Sequence, residues 1–216
     1  MTADVRELTK PTWEPVTLTE AKVWCRIDDD DTAQDAILLL LISSARERAE
    51  AITGRALARR TFELRLDDFP TDRSWTERMR GAGTTGPAPI VIPRPPLVSV
   101  QYLTYATSDG DVVWTGSPES WDLDTGGDAN PARLIPAAGA AWPAVEVRPG
   151  AVRLGFTAGY VTASQMPQRL RLWMQARISS WFENRENIVI GKSVSELPHD
   201  LIDGLLDELR AVTLFA

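Results

Sequence analysis

Histidine and cysteine are almost absent from this chain of 216 residues. Its one cysteine, Cys25, excludes an internal disulfide, and its one histidine, His199, leaves little material for a transition-metal site. No serine or cysteine lies in a recognisable nucleophile motif, so a catalytic triad has no support. We therefore predict no catalytic residue, no metal site and no cofactor.

Positive charge and long apolar runs are also scarce. The 23 Lys and Arg residues face 30 Asp and Glu residues, and the net charge of -7 argues against binding nucleic acid through a broad basic surface. The longest apolar run, Ile37 to Ile42, is too short to span a membrane. The first ten residues lack the basic start and apolar stretch of a secretion signal. We expect a protein that is made in a cytoplasm and contacts no membrane.

The segment from Pro167 to Arg185 predicts the main amphipathic helix. Its apolar residues recur with the helical period, and proline suits a first helical turn. Burying side chains of this size gives a gross gain of about 10 to 18 kcal/mol, at about 1.5 to 3 kcal/mol each. The helix therefore needs a partner surface, most simply the core of its own domain. The apolar residues are Leu170, Trp173, Met174, Ile178, Trp181 and Phe182.

Two more helices are predicted near the N-terminus. Thr17 and Glu20 have the spacing of a capping box, which begins a short helix. A second helix is predicted over Thr32 to Thr53, and Gly54 ends it. The acidic run Asp28 to Asp31 between them lacks the ligand spacing of a calcium loop, so we interpret it as a solvated turn in a helical hairpin.

A β-rich stretch begins at Arg60, where the apolar period changes from 3.6 to 2. Its closely spaced turns favour an antiparallel meander or a small barrel over parallel crossover units. The first predicted strand starts near Arg60 and contains the alternation from Phe62 to Asp67. The other predicted strands are Ile90 to Ile92, Val98 to Tyr105, Val112 to Trp114, Trp121 to Asp124, Arg133 to Ile135 and Val152 to Thr157.

Together these patterns predict an α+β fold. A helical frame, made of the N-terminal helix hairpin and two C-terminal helices, carries an inserted antiparallel β-rich middle. The predicted boundaries are 1–60 for the N-terminal arm and hairpin, 61–160 for the β-rich insertion, and 161–216 for the C-terminal helices, of which the last begins at Pro198.

Several motifs follow one another in a characteristic order: EPVTLTEAKVWCRID with its acidic turn, EAITGRAL, IPRPPLVSV, the segment from Ala141 through VRLGFTAGY, WFENRE and ELP. In this order they resemble the head-tail connector proteins, also called adaptor or head-completion proteins, of long-tailed phages and phage-like gene transfer agents. The resemblance covers residues 13–210. The β-rich middle is larger than in the smallest, almost purely helical connectors.

The resemblance implies a structural virion protein and not an enzyme. Such connectors form a ring, usually of twelve subunits, that joins the portal of the capsid to the tail and continues the DNA channel. The implied partners are other copies of the chain, the portal, a tail-side neck protein (stopper or tail terminator), and DNA that passes without sequence-specific binding. The implied location is the neck of a virion or phage-like particle.

Interface residues can be suggested from the tryptophans, of which there are eight, and from the apolar C-terminus. Leu209, Leu214 and Phe215 could form a hydrophobic plug in a groove of the portal, or could equally pack against their own helices. Tryptophans in predicted arms or loops are further candidates for a portal or subunit interface: Trp13, Trp75 and Trp114.

Two groups of charged residues leave alternatives open. Arg55, Arg59 and Arg60 could touch DNA, although a solvated helix end or an ion pair between subunits is the simpler interpretation. The alternative function is a small soluble binding protein or hydrolase with its site in the β-rich middle. Its candidate residues fall mostly in turns, where such side chains commonly bond the local backbone: Asp109, Asp111, Asp122, Asp124 and Asp128.

Overall fold

The computed structural model describes residues 3–71, 87–114, 121–137, 140–184 and 204–211. It contains both helices and antiparallel sheets, so the α+β prediction is confirmed. The chain divides into two units, and each is described by itself. The sheet unit comprises the described parts of Met1–Lys10 and Arg59–Gly159, and the helical unit comprises those of Pro11–Ala58 and Tyr160–Ala211.

The helical unit contains three helices, α1 (Leu18–Cys25), α2 (Asp35–Thr53) and α3 (Gln168–Glu183), and a short helical turn at 204–207. α2 begins three residues later than predicted because the Asp31 carboxylate accepts a hydrogen bond from the Ala33 N–H at 2.9 Å, which makes a turn before the helix. At its other end α2 stops at Gly54, which has the left-handed φ of 70° expected of it.

The predicted capping box at the start of α1 is present. The Glu20 N–H donates to the Thr17 hydroxyl at 3.2 Å, and the Thr17 N–H donates to the Glu20 carboxylate at 2.8 Å. Arg171 of α3 binds the same carboxylate. Burial alone would raise the pKa of Glu20, but the bonds from Thr17 and the guanidinium of Arg171 outweigh it and lower that pKa below its ordinary value.

One face of α3 forms the centre of the helical core. Trp173, Leu170, Met174 and Ile178 are fully buried there, as the helical period predicted. They pack with apolar residues of α1 and α2, and the aromatic residues at the end of α3 are partly buried around them. The apolar face of α3 is therefore buried within its own subunit. The residues from the other elements include Ala21, Leu38, Ile42, Ala45, Ala49, Leu57 and Leu206.

The sheet unit holds two antiparallel sheets, one of five strands in the order β1-β2-β8-β4-β5 and one of three in the order β3-β7-β6. All the predicted strands are present. The meander is only partial, because β2 pairs with the distant β8, and the N-terminal arm contains a strand that was not predicted. The strands are β1 (Ala3–Glu7), β2 (Arg60–Leu66), β3 (Ile90–Ile92), β4 (Leu97–Thr107), β5 (Gly110–Val113), β6 (Trp121–Asp124), β7 (Ala132–Pro136) and β8 (Val152–Ala158).

A tyrosine crosses the middle of the five-stranded sheet. Tyr102 on β4 and Glu63 on β2 both pair with Gly155 on β8, so the three residues lie in one row. The Tyr102 hydroxyl reaches over the glycine and donates to the Glu63 carboxylate at 2.8 Å. Although burial favours the neutral form of Glu63, the bonds from Tyr102 and Arg65 outweigh it and lower the pKa of its carboxyl. Glycine is required at 155 because a Cβ there would overlap the tyrosine ring.

An aromatic cluster connects strands of the two sheets. Phe69, just after β2, stacks on Trp142 with ring centroids 4.8 Å apart. Trp114, just after β5, contacts both Trp142 and Trp121 of β6. The indole N–H of Trp142 donates to the Ala88 carbonyl at 2.8 Å, just before β3. Elements that are far apart in sequence are thereby held together by rings.

We predict that Gly155→Ala lowers the free energy of unfolding by about 1 to 3 kcal/mol, because the added methyl group displaces the Tyr102 ring. Urea denaturation at 25 °C measures the change. In a Tyr102→Ser background the same substitution should cost much less, since the obstructing ring is gone. Additive effects of the two substitutions would contradict this account.

We predict that Glu20→Gln lowers stability by about 0.2 to 1 kcal/mol at pH 7 and by less at pH 3. The folded-state pKa of Glu20 lies below the ordinary 4.5, so its contribution is present above pH 4.5 and is lost as the pH falls through the lower, folded-state pKa. Denaturation at both pH values measures it. Glutamine still fits a capping box, whereas the control Thr17→Ala removes the cap and should destabilise at both pH values.

Candidate assembly surfaces

The apolar residues predicted for interfaces pack, where described, within their own subunit. Trp13 and Leu209 are partly buried against the helical core. Trp114 belongs to the aromatic cluster of the sheet unit. Their role at an interface stays a prediction. Trp75, Leu214 and Phe215 lie outside the described residues.

The predicted arginine cluster does not form one surface patch. Arg55 is only 2% exposed and donates to the Leu209 carbonyl at 2.6 Å and to the Tyr160 hydroxyl at 3.1 Å. Arg60 is also buried, 3.1 Å from the Glu7 carboxylate. Arg59 is exposed. Of these three arginines, Arg59 alone is available to an external partner.

Arg55 instead anchors the C-terminal part of the helical unit. Besides its bond to Leu209, the Ala211 N–H donates to the Thr53 carbonyl at 2.6 Å, and Leu206 is fully buried in the helical core. Residues 204–211 are therefore fixed beside the C-terminal end of α2. Leu214 and Phe215 come three and four residues after Ala211 in the sequence.

Of the five aspartates named for the alternative site in the β-rich middle, Asp111 and Asp124 make side-chain contacts within the described residues. Asp111 pairs with Arg148 at 2.7 Å, and the Asp124 carboxylate accepts from the Gly126 N–H at 3.0 Å. Asp109, Asp122 and Asp128 are exposed. Across the described ranges, no group of three or more His, Cys, Asp or Glu side chains could hold a metal ion. These contacts favour the turn interpretation of the aspartates over a shared site.

One end of the α1–α2 hairpin exposes apolar side chains beside the acidic run. The Lys22 ammonium lies 2.8 Å from the Asp35 carboxylate, which brings the end of α1 to the start of α2. Val23 and Trp24 follow Lys22 on α1, Leu39 and Leu40 come about one turn after Asp35 on α2, and all four are exposed, Val23 by 70% and Leu40 by 64%. Together with the exposed carboxylates of Asp28 to Asp31 they form what we call the hairpin patch.

The hairpin patch was not recognised in the sequence, although a signal was there. Four consecutive leucines, Leu38 to Leu41, cannot all point to one side of a helix that turns 100° per residue. Leu38 enters the core and Leu41 lies against it. Leu39 and Leu40 therefore remain on the surface.

One end of the five-stranded sheet gathers cations. Ala158 on β8 pairs with Arg60 on one side and with Leu97 on the other, so the chain just before β2 and just before β4 lies at the same end. Arg59 and Arg94 are in these positions. Lys10 lies at the same end, because the residue before it, Thr9, is held at the start of β2: the Thr61 N–H donates to the Thr9 hydroxyl at 2.9 Å. We call Lys10, Arg59 and Arg94, with the exposed apolar residues Leu8 and Val98, the basic sheet end.

The charges of the basic sheet end are largely unpaired. Within the described residues, neither Arg59 nor Arg94 has an ion-pair partner, and the Lys10 side chain is 91% exposed and 3.6 Å from Glu7. Glu7 is already bound by Arg60. Arg94 has a left-handed φ of 65° between two prolines, a conformation that non-glycine residues rarely adopt outside special positions. This end of the sheet is thus positive in a chain that is negative overall.

None of the described helices combines the length and the apolar character needed to cross a membrane.

Comparison with known proteins connects this architecture to a family. The model of the phage gp6-like head-tail connector proteins matches residues 15–106, a span that contains α1, α2, β2, β3 and nearly all of β4. No curated protein matches the chain.

Solved structures resemble the chain over nearly its whole length. A chain in the neck of an empty gene transfer agent (GTA) particle, computed with C6 symmetry, is 22% identical, with a TM-score of 0.70 over 99% of this chain and 98% of that chain. A chain in the virion of a native GTA particle is 23% identical, with a TM-score of 0.70 over 98% and 97%. A third, from the neck of a native GTA particle computed with C12 symmetry, is 22% identical, with a TM-score of 0.62 over 99% and 98%.

At these identities the structural likeness shows a shared fold. The match to the family model covers the first three of the motifs quoted from the sequence, from the capping box of α1 to the proline-rich start of β4. Over residues 15–106 this chain is thus similar to the phage gp6-like head-tail connector proteins, and over nearly its whole length it shares the fold of chains from GTA necks.

Proposed function

We propose that this protein occupies the neck of a phage-like particle, where it forms a ring between the portal of the capsid and the tail and continues the DNA channel. The observation that carries the proposal is the shared fold with a chain of a GTA neck, over 98% of that chain. The connector-family match over residues 15–106 supports the same assignment from sequence.

Twelve subunits suit the proposed ring. One of the similar neck structures was computed with C12 symmetry and another with C6 symmetry. A ring of twelve identical copies satisfies both symmetries. Each subunit must then present two different surfaces, one to each neighbour.

The proposed partners are the portal, a tail-side neck protein of the stopper or tail-terminator kind, and the DNA in the channel. The net charge of -7 suits a channel wall that does not grip phosphates, so DNA would pass without sequence-specific binding. For the portal contact we propose the apolar C-terminal residues Leu214 and Phe215, which follow the segment anchored by Arg55.

We predict that the purified protein, mixed with the portal of the same particle, forms a ring of about twelve times the 23.8 kDa subunit mass. Size-exclusion chromatography with light scattering measures the mass, and negative-stain imaging shows the ring on the portal. A stable monomer that ignores the portal at every salt concentration tested would remove the proposal.

We predict that Leu214→Ser with Phe215→Ser lowers incorporation into particles at least about tenfold, because the apolar plug is lost. Quantitative blotting of purified particles measures it. The matched control is Leu123→Ser with Val147→Ser, which removes two exposed apolar side chains of the sheet unit. Equal incorporation of both double variants would show that the C-terminal residues are not the portal contact.

A further inference from the structure

Two described surfaces each combine exposed apolar side chains with charge of one sign, and the two signs are opposite. The hairpin patch combines exposed Val23, Trp24, Leu39 and Leu40 with the carboxylates of Asp28 to Asp31. The basic sheet end combines exposed Leu8 and Val98 with Lys10, Arg59 and Arg94. Apolar area with a charged border is the usual anatomy of a protein–protein interface.

We propose that the basic sheet end of one subunit docks on the hairpin patch of the next subunit in the ring. The inference rests on the proposed function, since it names the surfaces through which copies of this chain meet. The occupant of each patch is therefore a second copy of this chain.

Charge is the main argument for a second copy. Identical subunits with a net charge of -7 repel one another when they assemble, so their contacts must set cations against carboxylates. Among the ion pairs of the described residues, none involves the carboxylates of Asp28 to Asp31. Arg26, just before that run, offsets only part of its charge. The unpaired arginines of the basic sheet end supply the opposite sign.

The apolar side chains give the contact its second component. Val23 and Leu40 are exposed by 70% and 64%, and Leu8 by 49%, so each patch leaves apolar area in water unless a partner covers it. Docking would remove this area from water at the same place where the charges pair.

The geometry of the contact is heterologous, because the two patches are different surfaces. Each copy uses its basic sheet end toward one neighbour and its hairpin patch toward the other. Repetition of such a contact closes into a ring when the rotation between neighbours divides a full turn, whereas a contact between identical patches stops at a dimer.

The test reverses the charges of each patch in the full chain. One variant carries Arg59→Glu with Arg94→Asp, since aspartate tolerates the left-handed φ at 94 better than most residues. The other carries Asp29→Arg with Asp30→Arg. Each variant alone sets like charges against each other, so ring formation with the portal should fall at least about tenfold.

Mixing the two variants gives the decisive measurement. The reversed basic sheet end of the first is then complementary to the reversed hairpin patch of the second, and the two unchanged patches are also complementary. The mixture should restore rings that contain the variants in equal numbers, as native mass spectrometry would show. Asp122→Arg with Asp128→Arg is the charge-matched control for the second variant, and Arg48→Glu changes the charge in the direction of the first variant by half as much. Both alter exposed residues outside the two patches and should assemble normally. Circular dichroism melts verify that all variants are folded.

The outcomes separate this inference from the proposed function. If the wild-type protein forms rings and the two reversed variants also do so undiminished, the ring stands and this interface is wrong. If the variants fail singly and the mixture does not recover, the two patches do not meet. If the wild-type protein forms no ring with the portal, the proposed function fails, and this inference fails with it.

Discussion

Burial of one face of α3 is the constraint on which the helical unit depends. Trp173 is the largest of its fully buried side chains, and both α1 and α2 pack against the stripe that contains it. The space beside this stripe is limited, so α2 can direct Leu38 and Ile42 inward but must leave Leu39 and Leu40 outside. The surface that we propose for assembly is thus a consequence of how the core is filled, because a run of four leucines exceeds what one helix face can bury.

In the sheet unit, the elements that must be held together come from distant parts of the chain. β2 and β8 are separated by most of the β-rich middle, yet they pair over their full lengths. Tyr102 fastens β4 to β2 across Gly155, and the Phe69 and Trp142 rings stack beside Trp114. Aromatic side chains therefore join distant segments inside one subunit, and Trp114, one of the tryptophans suggested for an external interface, is partly buried in this internal cluster.

The sequence predicted what local patterns determine. The period of 2 predicts strand Arg60–Leu66. Gly54 predicts the end of α2, because glycine readily adopts the left-handed φ that the structure shows there. Strand β1 was missed because a short arm becomes a strand only when β2 is there to pair with it. The burial of Arg55 was missed for the same reason, since Tyr160 and Leu209 lie more than one hundred residues further along the chain. The basic sheet end could not be foreseen either, because it depends on which strands become neighbours.

The number of strands in the larger sheet has its own consequence. Because five antiparallel strands alternate in direction, β1 and β5, the two edges, run the same way. If two copies met head to tail through the edges of this sheet, β5 of one would lie parallel to β1 of the other. If they met about a two-fold axis, like edges would pair antiparallel. The β1 edge carries the charged residues Asp4, Arg6 and Glu7, which discourage pairing with another strand. On β5, Val112 and Val113 are exposed and Asp111 is the one charged residue. The β5 edge is therefore the less protected of the two edges against pairing with a strand of another chain.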